Sequence, residues 1–148
     1  MKKILQLSFI IFLGIAISSC AKKEEKKNAE TSYLKAMKSL KNKNYIEAAE
    51  MLNRFSQTYP DSPLIAEAHL LRGKAFEAVE DYKASARAYL ESYNTLKSPD
   101  ALQRLSNSLI SLGQMETGCQ MLSQVELLFP GTSYAAAAQS EMQRLQCF

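Results

Sequence analysis

The stretch AEAHLLRGKAFEAVEDYKASARAYLESYNTL, from Ala66 to Leu96, decides the fold of this chain. Its apolar and small residues recur at the three- and four-residue spacing of an amphipathic helix. The pattern is interrupted once, at Glu80-Asp81-Tyr82, where a short turn separates two helices. The chain contains no alternating strand pattern, so we predict an all-α protein built from helical hairpins.

Copies of this hairpin lie on both sides of it. The turns at Lys43-Asn44-Tyr45, Glu80-Asp81-Tyr82 and Gly113-Gln114-Met115 fall in register, 37 and 33 residues apart. These intervals bracket the roughly 34-residue period of the tetratricopeptide (TPR) repeat. We therefore predict a TPR-type solenoid of three repeats with a C-terminal capping helix. The predicted boundaries are 32–60, 63–97 and 99–130 for the repeats and 132–147 for the cap, within a domain of 32–148.

Capping and helix-breaking residues set the predicted helix ends. Ser62-Pro63 and Ser98-Pro99 each supply an N-cap followed by a proline at the first helical position. Two positions depart from the repeat pattern: Arg72 stands where leucine is usual, and Ser39 occupies a site that is usually large. The predicted helices run from an N-cap at Asn28 to about 42, then 45–58, 63–79, 82–96, 99–112, 115–129, and from a cap at Thr132 or Ser133 to about 146.

The first twenty residues have the features of a secretory signal. Met1-Lys2-Lys3 is basic and residues 4–17 are apolar, a combination typical of a signal peptide rather than a membrane span. Ile17-Ser18-Ser19-Cys20 then resembles a bacterial lipobox. We therefore predict that residues 1–20 form a lipoprotein signal and that Cys20 is lipidated.

The residues after Cys20 indicate how the domain is attached. Residues 21–28 contain no large apolar side chain, and we predict that 21–31 form a flexible tether. Acyl chains on Cys20 would anchor the protein to a membrane. Ala21, rather than aspartate, follows the cysteine, which by the usual bacterial sorting pattern predicts the periplasmic side of the outer membrane.

Composition argues against several classes of function. Sixteen basic and fifteen acidic residues remain after residue 20, and no basic stripe with interleaved aromatics is present, so nucleic-acid binding is not expected. The single histidine, His69, lies in an apolar helical pattern without cysteine or carboxylate neighbours at ligand spacing. We predict no metal site, no cofactor, no small-molecule substrate and no enzymatic activity.

Cys119 and Cys147 form an even pair in an exported chain. Counted from the turn near Gly131, they are offset by about one helical turn, so the chain end at Cys147 must fold back for a bond to form. A structural disulfide is the favoured interpretation. Two free buried thiols and a redox-active pair are the alternatives.

Two stretches, Tyr59–Tyr89 and Pro99–Cys147, resemble the C-terminal TPR domain of the YbgF/CpoB family of Tol-Pal and cell-division proteins. The leucine-glycine turn, the cysteine on helix six, the Phe-Pro-Gly-x-Ser link, the alanine-rich cap and the final cysteine occur in the same order. The resemblance implies a periplasmic adaptor that binds TolA and helps couple peptidoglycan synthesis to outer-membrane constriction. Members of that family usually carry an N-terminal trimerising coiled coil and are typically soluble, whereas residues 21–31 here show no heptads and a lipobox is predicted, so we do not predict that trimer.

The lipobox supports a second interpretation, because BamD-like TPR components of outer-membrane β-barrel assembly are membrane-anchored. Pilotin-like secretion lipoproteins are a further alternative. A thiol-redox protein is the alternative from a different class.

For any TPR domain, the family implies that the first helix of each repeat lines a concave groove that binds a protein or peptide partner. The groove residues predicted on this basis are Tyr33, Met37, Lys41, Leu70, Lys74, Glu77, Gln103, Asn107 and Ser111.

Overall fold

The computed structural model describes the backbone of residues 2–147 and the side chains of residues 22–147. All regular structure in this part of the chain is α-helical, which confirms the predicted fold class. None of the helices among these described residues is long and apolar enough to cross a membrane. The helices are α1 (Lys2–Lys41), α2 (Tyr45–Thr58), α3 (Ile65–Ala78), α4 (Tyr82–Thr95), α5 (Pro99–Ser111), α6 (Met115–Leu128) and α7 (Ser133–Leu145).

Helix α1 corrects the predicted tether. The helix runs without interruption to Lys41, so Asn28 is not an N-cap and residues 21–31 are helical. The reason is local, since this stretch lacks glycine and proline and is rich in alanine, lysine and glutamate, which are strong helix formers. Residues 22–28 are exposed, and packing against the repeats begins at Ala29, three residues before the predicted boundary. The predicted lipidation site, Cys20, lies outside the described side chains.

Helix α3 also begins later than predicted. It starts at Ile65 rather than Pro63, and its N-cap residue, Leu64, makes no side-chain capping bond. Ser62 instead accepts a hydrogen bond on its side-chain oxygen from the Leu64 amide at 3.3 Å, and on its carbonyl from the Ile65 amide at 3.0 Å. These bonds form a turn ahead of the helix. The equivalent prediction at Ser98 is correct, because its hydroxyl accepts from the Ala101 amide at 3.3 Å.

The turn within each hairpin has the same backbone conformation. Lys43, Glu80 and Gly113 have φ angles of 60°, 60° and 77°, which lie in the left-handed region that commonly ends a helix. Only the third position carries glycine, the residue that adopts this conformation without steric cost. The shared geometry agrees with the repeat register deduced from the sequence.

The buried apolar residues form two clusters rather than one. The first is built around Leu52 and Phe55 of α2, and the second around Tyr89, Leu102 and Leu122. A hydrogen bond also joins α4 to α3, the two helices of the hairpin between the clusters. Ser92 Oγ donates to the Ala66 carbonyl at 2.9 Å.

Tyr89 packs against Gly73, and the contact leaves no room for a side chain at position 73. A Cβ atom there would lie 2.4 Å from Tyr89 Cε1. The Tyr89 ring is fully buried, as the repeat pattern predicts. Its hydroxyl donates a hydrogen bond to Glu77.

Replacing Tyr89 with alanine should lower the free energy of unfolding by about 3–5 kcal/mol, because the change removes a fully buried aromatic ring. Chemical denaturation of the wild type and the Y89A variant would measure it. Tyr89→Phe is the control, since it keeps the ring and removes only the hydroxyl, and its effect should be smaller. A loss below about 1 kcal/mol for Y89A would contradict the central packing role of the ring.

Candidate partner-binding site

A cleft of about 660 Å³ lies between α1 and α3, the first helices of the first two hairpins. Its lining is mainly apolar and includes three lysines. On α1 the lining residues follow helical spacing, which places them on one face. The lining consists of Leu34, Met37, Lys38, Leu40, Lys41, Tyr45, Leu71 and Lys74.

Three of the nine predicted groove residues, Met37, Lys41 and Lys74, line this cleft. The prediction is wrong for Tyr33, which is 7% exposed and packs against Phe55 with ring centroids 5.8 Å apart. Burial raises the pKa of the Tyr33 hydroxyl, and the neighbouring Glu67 carboxylate raises it further. Tyr33 is thus a core residue.

The centre of the predicted groove is engaged in contacts within the chain. Glu77 accepts hydrogen bonds from the Tyr89 hydroxyl and from Arg104 Nη1, the latter at 3.2 Å. Lys74 Nζ lies 3.5 Å from Asp100 Oδ2. Of the predicted residues that do not line the cleft, Leu70 packs against the second apolar cluster, Gln103 is half-buried, and Asn107 and Ser111 are exposed.

Sequence reasoning missed most of the residues that form the cleft. Leu34 and Lys38 were missed, although they lie seven and three residues before the predicted Lys41 on the same helix, so their common face could have been found from the sequence. Leu71 and Tyr45 could not be placed there, because their position depends on how α3 and the start of α2 pack against α1.

A second cleft, of about 350 Å³, lies among α2, α3 and α4 and holds a polar cluster. Arg72 is 7% exposed and donates to Asn53 Oδ1 at 2.7 Å and to the Glu91 carboxylate. Burial of a charged guanidinium is costly unless the group is paired and hydrogen-bonded, and Asn53 and Glu91 meet this requirement here. These bonds explain how arginine replaces the leucine that the repeat pattern usually carries.

His69 lies beside this cluster, where the structure brings it close to a carboxylate that the sequence did not indicate. Its Nδ1 atom is 3.2 Å from Glu91 Oε2. Burial lowers the pKa of His69, and the Arg72 charge lowers it further, while Glu91 opposes the shift. The imidazole is therefore neutral near pH 7, in keeping with a packing role.

Cys119 and Cys147 are brought together at the end of the array. Their sulfur atoms lie at disulfide distance and their Cα atoms are 5.6 Å apart. The chain folds back after α7, as bonding requires. Gln146 adopts a left-handed conformation with φ 55°, and the Cys147 amide donates to the Met142 carbonyl at 2.9 Å.

No protein-family model matches the sequence, and no curated protein matches it significantly. Among solved structures, the second TPR domain of human RPAP3, determined by NMR in complex with the HSP70 peptide SGPTIEEVD, is similar to this chain. The TM-score is 0.67 at 19% sequence identity, covering 78% of this chain and 94% of that domain. The chain has a TPR-type fold. At this identity, the likeness concerns the fold alone.

The stability of the domain should fall as pH decreases from about 7 to about 5, in part because of His69. In the unfolded chain, His69 titrates near 6.5, whereas its pKa in the folded protein is lower. The unfolded state therefore binds more protons in this range, which favours unfolding. Denaturation at several pH values, compared with His69→Gln, would measure the effect. Parallel pH profiles for the two proteins would contradict it.

Replacing both Cys119 and Cys147 with serine should lower the free energy of unfolding by about 3–4 kcal/mol, the chain-entropy value for a cross-link of this span. The two residues are separated by 28 positions. Comparing the double variant with the oxidised wild type by denaturation would test this. Mass spectrometry that finds two free thiols in protein purified without reductant would contradict a structural disulfide, and rapid alkylation of the reduced protein would favour a redox role.

Proposed function

We propose that this chain is a lipid-anchored adaptor on the periplasmic side of the outer membrane, and that it binds a segment of a partner protein in the α1–α3 cleft. The observation that carries the proposal is a mainly apolar cleft with three lysines in its lining, on the first helices of a TPR-type solenoid. The complex of the similar RPAP3 domain with an HSP70 peptide supports this use of the fold. The sequence Ile17-Ser18-Ser19-Cys20 supports the anchor.

Helix α1 would connect the anchor to the site. From Cys20 to Leu34, a continuous helix rises about 21 Å at 1.5 Å per residue. A helix holds this separation more firmly than a flexible tether does. The cleft would thus lie close to the membrane surface and at a defined distance from it.

The resemblance to the YbgF/CpoB family supports a role in Tol-Pal function and in the coordination of cell division, with TolA as a candidate partner. The lipobox favours a second candidate function. Because that family is typically soluble, an anchored TPR protein could instead act as a BamD-like or pilotin-like component of outer-membrane protein assembly or secretion.

A photo-crosslinking amino acid placed at Lys41, in the cleft lining, should capture a Tol-Pal or peptidoglycan-synthesis protein in intact envelopes. The matched control places the same amino acid at Lys83, which is exposed on α4 and outside the cleft. Position 83 should not capture the same partner. Cys20→Ser should release the protein from the membrane fraction.

Three outcomes would redirect or contradict the proposal. Recovery of β-barrel assembly or secretion components alone from position 41 would favour the second candidate function. Equal capture from positions 41 and 83 would argue against the cleft as the binding site. No captured protein at all would contradict the adaptor function, and membrane retention of the Cys20→Ser variant would contradict the lipid anchor.

A further inference from the structure

We infer that the segment bound in the α1–α3 cleft is acidic and apolar: a short protein segment with one or two large apolar side chains flanked by carboxylates. The inference rests on the proposed adaptor function and adds the chemical class of its ligand. It is carried by the charge, the exposed apolar surface and the dimensions of the cleft.

The charge of the lining is entirely positive. Lys38, Lys41 and Lys74 contribute to it, and no carboxylate does. Asp100 partly neutralises Lys74 at 3.5 Å. Among the described residues, neither Lys38 nor Lys41 has a carboxylate within salt-bridge distance. Two positive charges are therefore available to a ligand.

Most of the surface that lines the cleft is apolar. Leu34 is 59% exposed, and Met37, Leu40 and Leu71 line the same space. Burying this surface against a ligand side chain would be favourable at about 25 cal/mol per Å². Methionine adapts to side chains of different shape, so the cleft favours a large apolar group without fixing its identity.

The dimensions limit the ligand to a short segment. Along α1, the lining from Leu34 to Lys41 extends about 10 Å, which corresponds to about two helical turns. The cleft, of about 660 Å³, is an open groove rather than an enclosed pocket, so a ligand would lie along it with one side facing solvent. A few side chains therefore occupy it.

Helix-end stabilisation and membrane binding are the alternative explanations for the lysines of the cleft. Lys38 and Lys41 lie in the last turn of α1, where positive charge stabilises a helix end. Lys74 lies outside the last turn of α3 and is paired with Asp100 at 3.5 Å. The case for a ligand therefore rests on Lys38 and Lys41 together with the exposed Leu34 beside them. Anionic lipid headgroups would also attract lysines, but a recess between two helices fits an inserted side chain better than a bilayer surface.

The test measures peptide binding to the full chain in detergent micelles by fluorescence anisotropy. The probe is a fluorescein-labelled peptide of about twelve residues, roughly 18 Å as a helix, with two leucines flanked by glutamates. Three control peptides replace glutamate with glutamine, glutamate with lysine, or leucine with serine. The glutamate-leucine peptide should bind most tightly, and its affinity should fall as salt concentration rises.

Two protein variants separate charge from packing. The double variant Lys38→Glu/Lys41→Glu should weaken binding of the glutamate-leucine peptide at least about tenfold. The control variant Lys83→Glu/Arg87→Glu changes the net charge by the same amount, and its affinity for the peptide should stay within about twofold of wild type. Lys38→Met/Lys41→Met keeps the aliphatic stems and should also weaken binding. Circular dichroism confirms that each variant is folded.

The inference is overturned if the glutamine and glutamate peptides bind equally, or if the Lys38/Lys41 variants lose stability without losing peptide affinity. If the Lys38/Lys41 variants bind phosphatidylglycerol vesicles less well but keep their affinity for the peptide, the lysines act at the membrane. This result would also overturn the inference. If Lys41 still captures an envelope protein while the acidic peptide does not bind, the ligand class is wrong and the adaptor function stands. If the crosslinker at position 41 captures no envelope protein, the adaptor function itself is contradicted.

Discussion

The contact between the Tyr89 ring and the backbone of Gly73 sets the distance between α3 and α4. A Cβ atom at position 73 would overlap the ring at 2.4 Å, so these helices approach as closely as they do only because position 73 has no side chain. The fully buried ring is the largest buried side chain of the apolar cluster that it forms with Leu102 and Leu122. The two apolar clusters are held in one array through this hairpin.

The same tyrosine connects the interior to the surface. Its hydroxyl donates to Glu77, which also accepts from Arg104, and Arg104 Nε donates to Asp100 at 2.8 Å. Asp100 in turn faces Lys74. This chain of contacts fixes the orientation of α5 relative to α3 and occupies the polar groups at the centre of the predicted groove. The α1–α3 cleft shares only Lys74 with this set of contacts, and its other two lysines, Lys38 and Lys41, are unpaired within the described residues.

Periodicity was sufficient to predict the order of the helices but not the starts of α1 and α3, and it was insufficient to predict the site. The bounds of α2 were predicted correctly because its apolar spacing and flanking turns are local. The same Ser-Pro signal was correct at Ser98 and wrong at Ser62, since the connection from α2 to α3 requires an extra turn before the helix. Glu77 and Arg104 lie 27 residues apart, so their pairing depends on how one hairpin rotates against the next, which no local pattern records.

The two ends of the solenoid differ in what lies beside their exposed leucines: Leu34 of α1 lines the cleft that holds three lysines, whereas Leu127 of α6, which is 75% exposed, does not line it. Each unit of a repeat array buries its apolar faces against its neighbours, so terminal units need a cap. At the C-terminal end α7 supplies one, with Ala135 and Ala138 buried and Cys147 beside Cys119. On α1, Leu34 is 59% exposed beside Lys38. A partner segment that covers Leu34 would bury apolar surface that the chain itself leaves open.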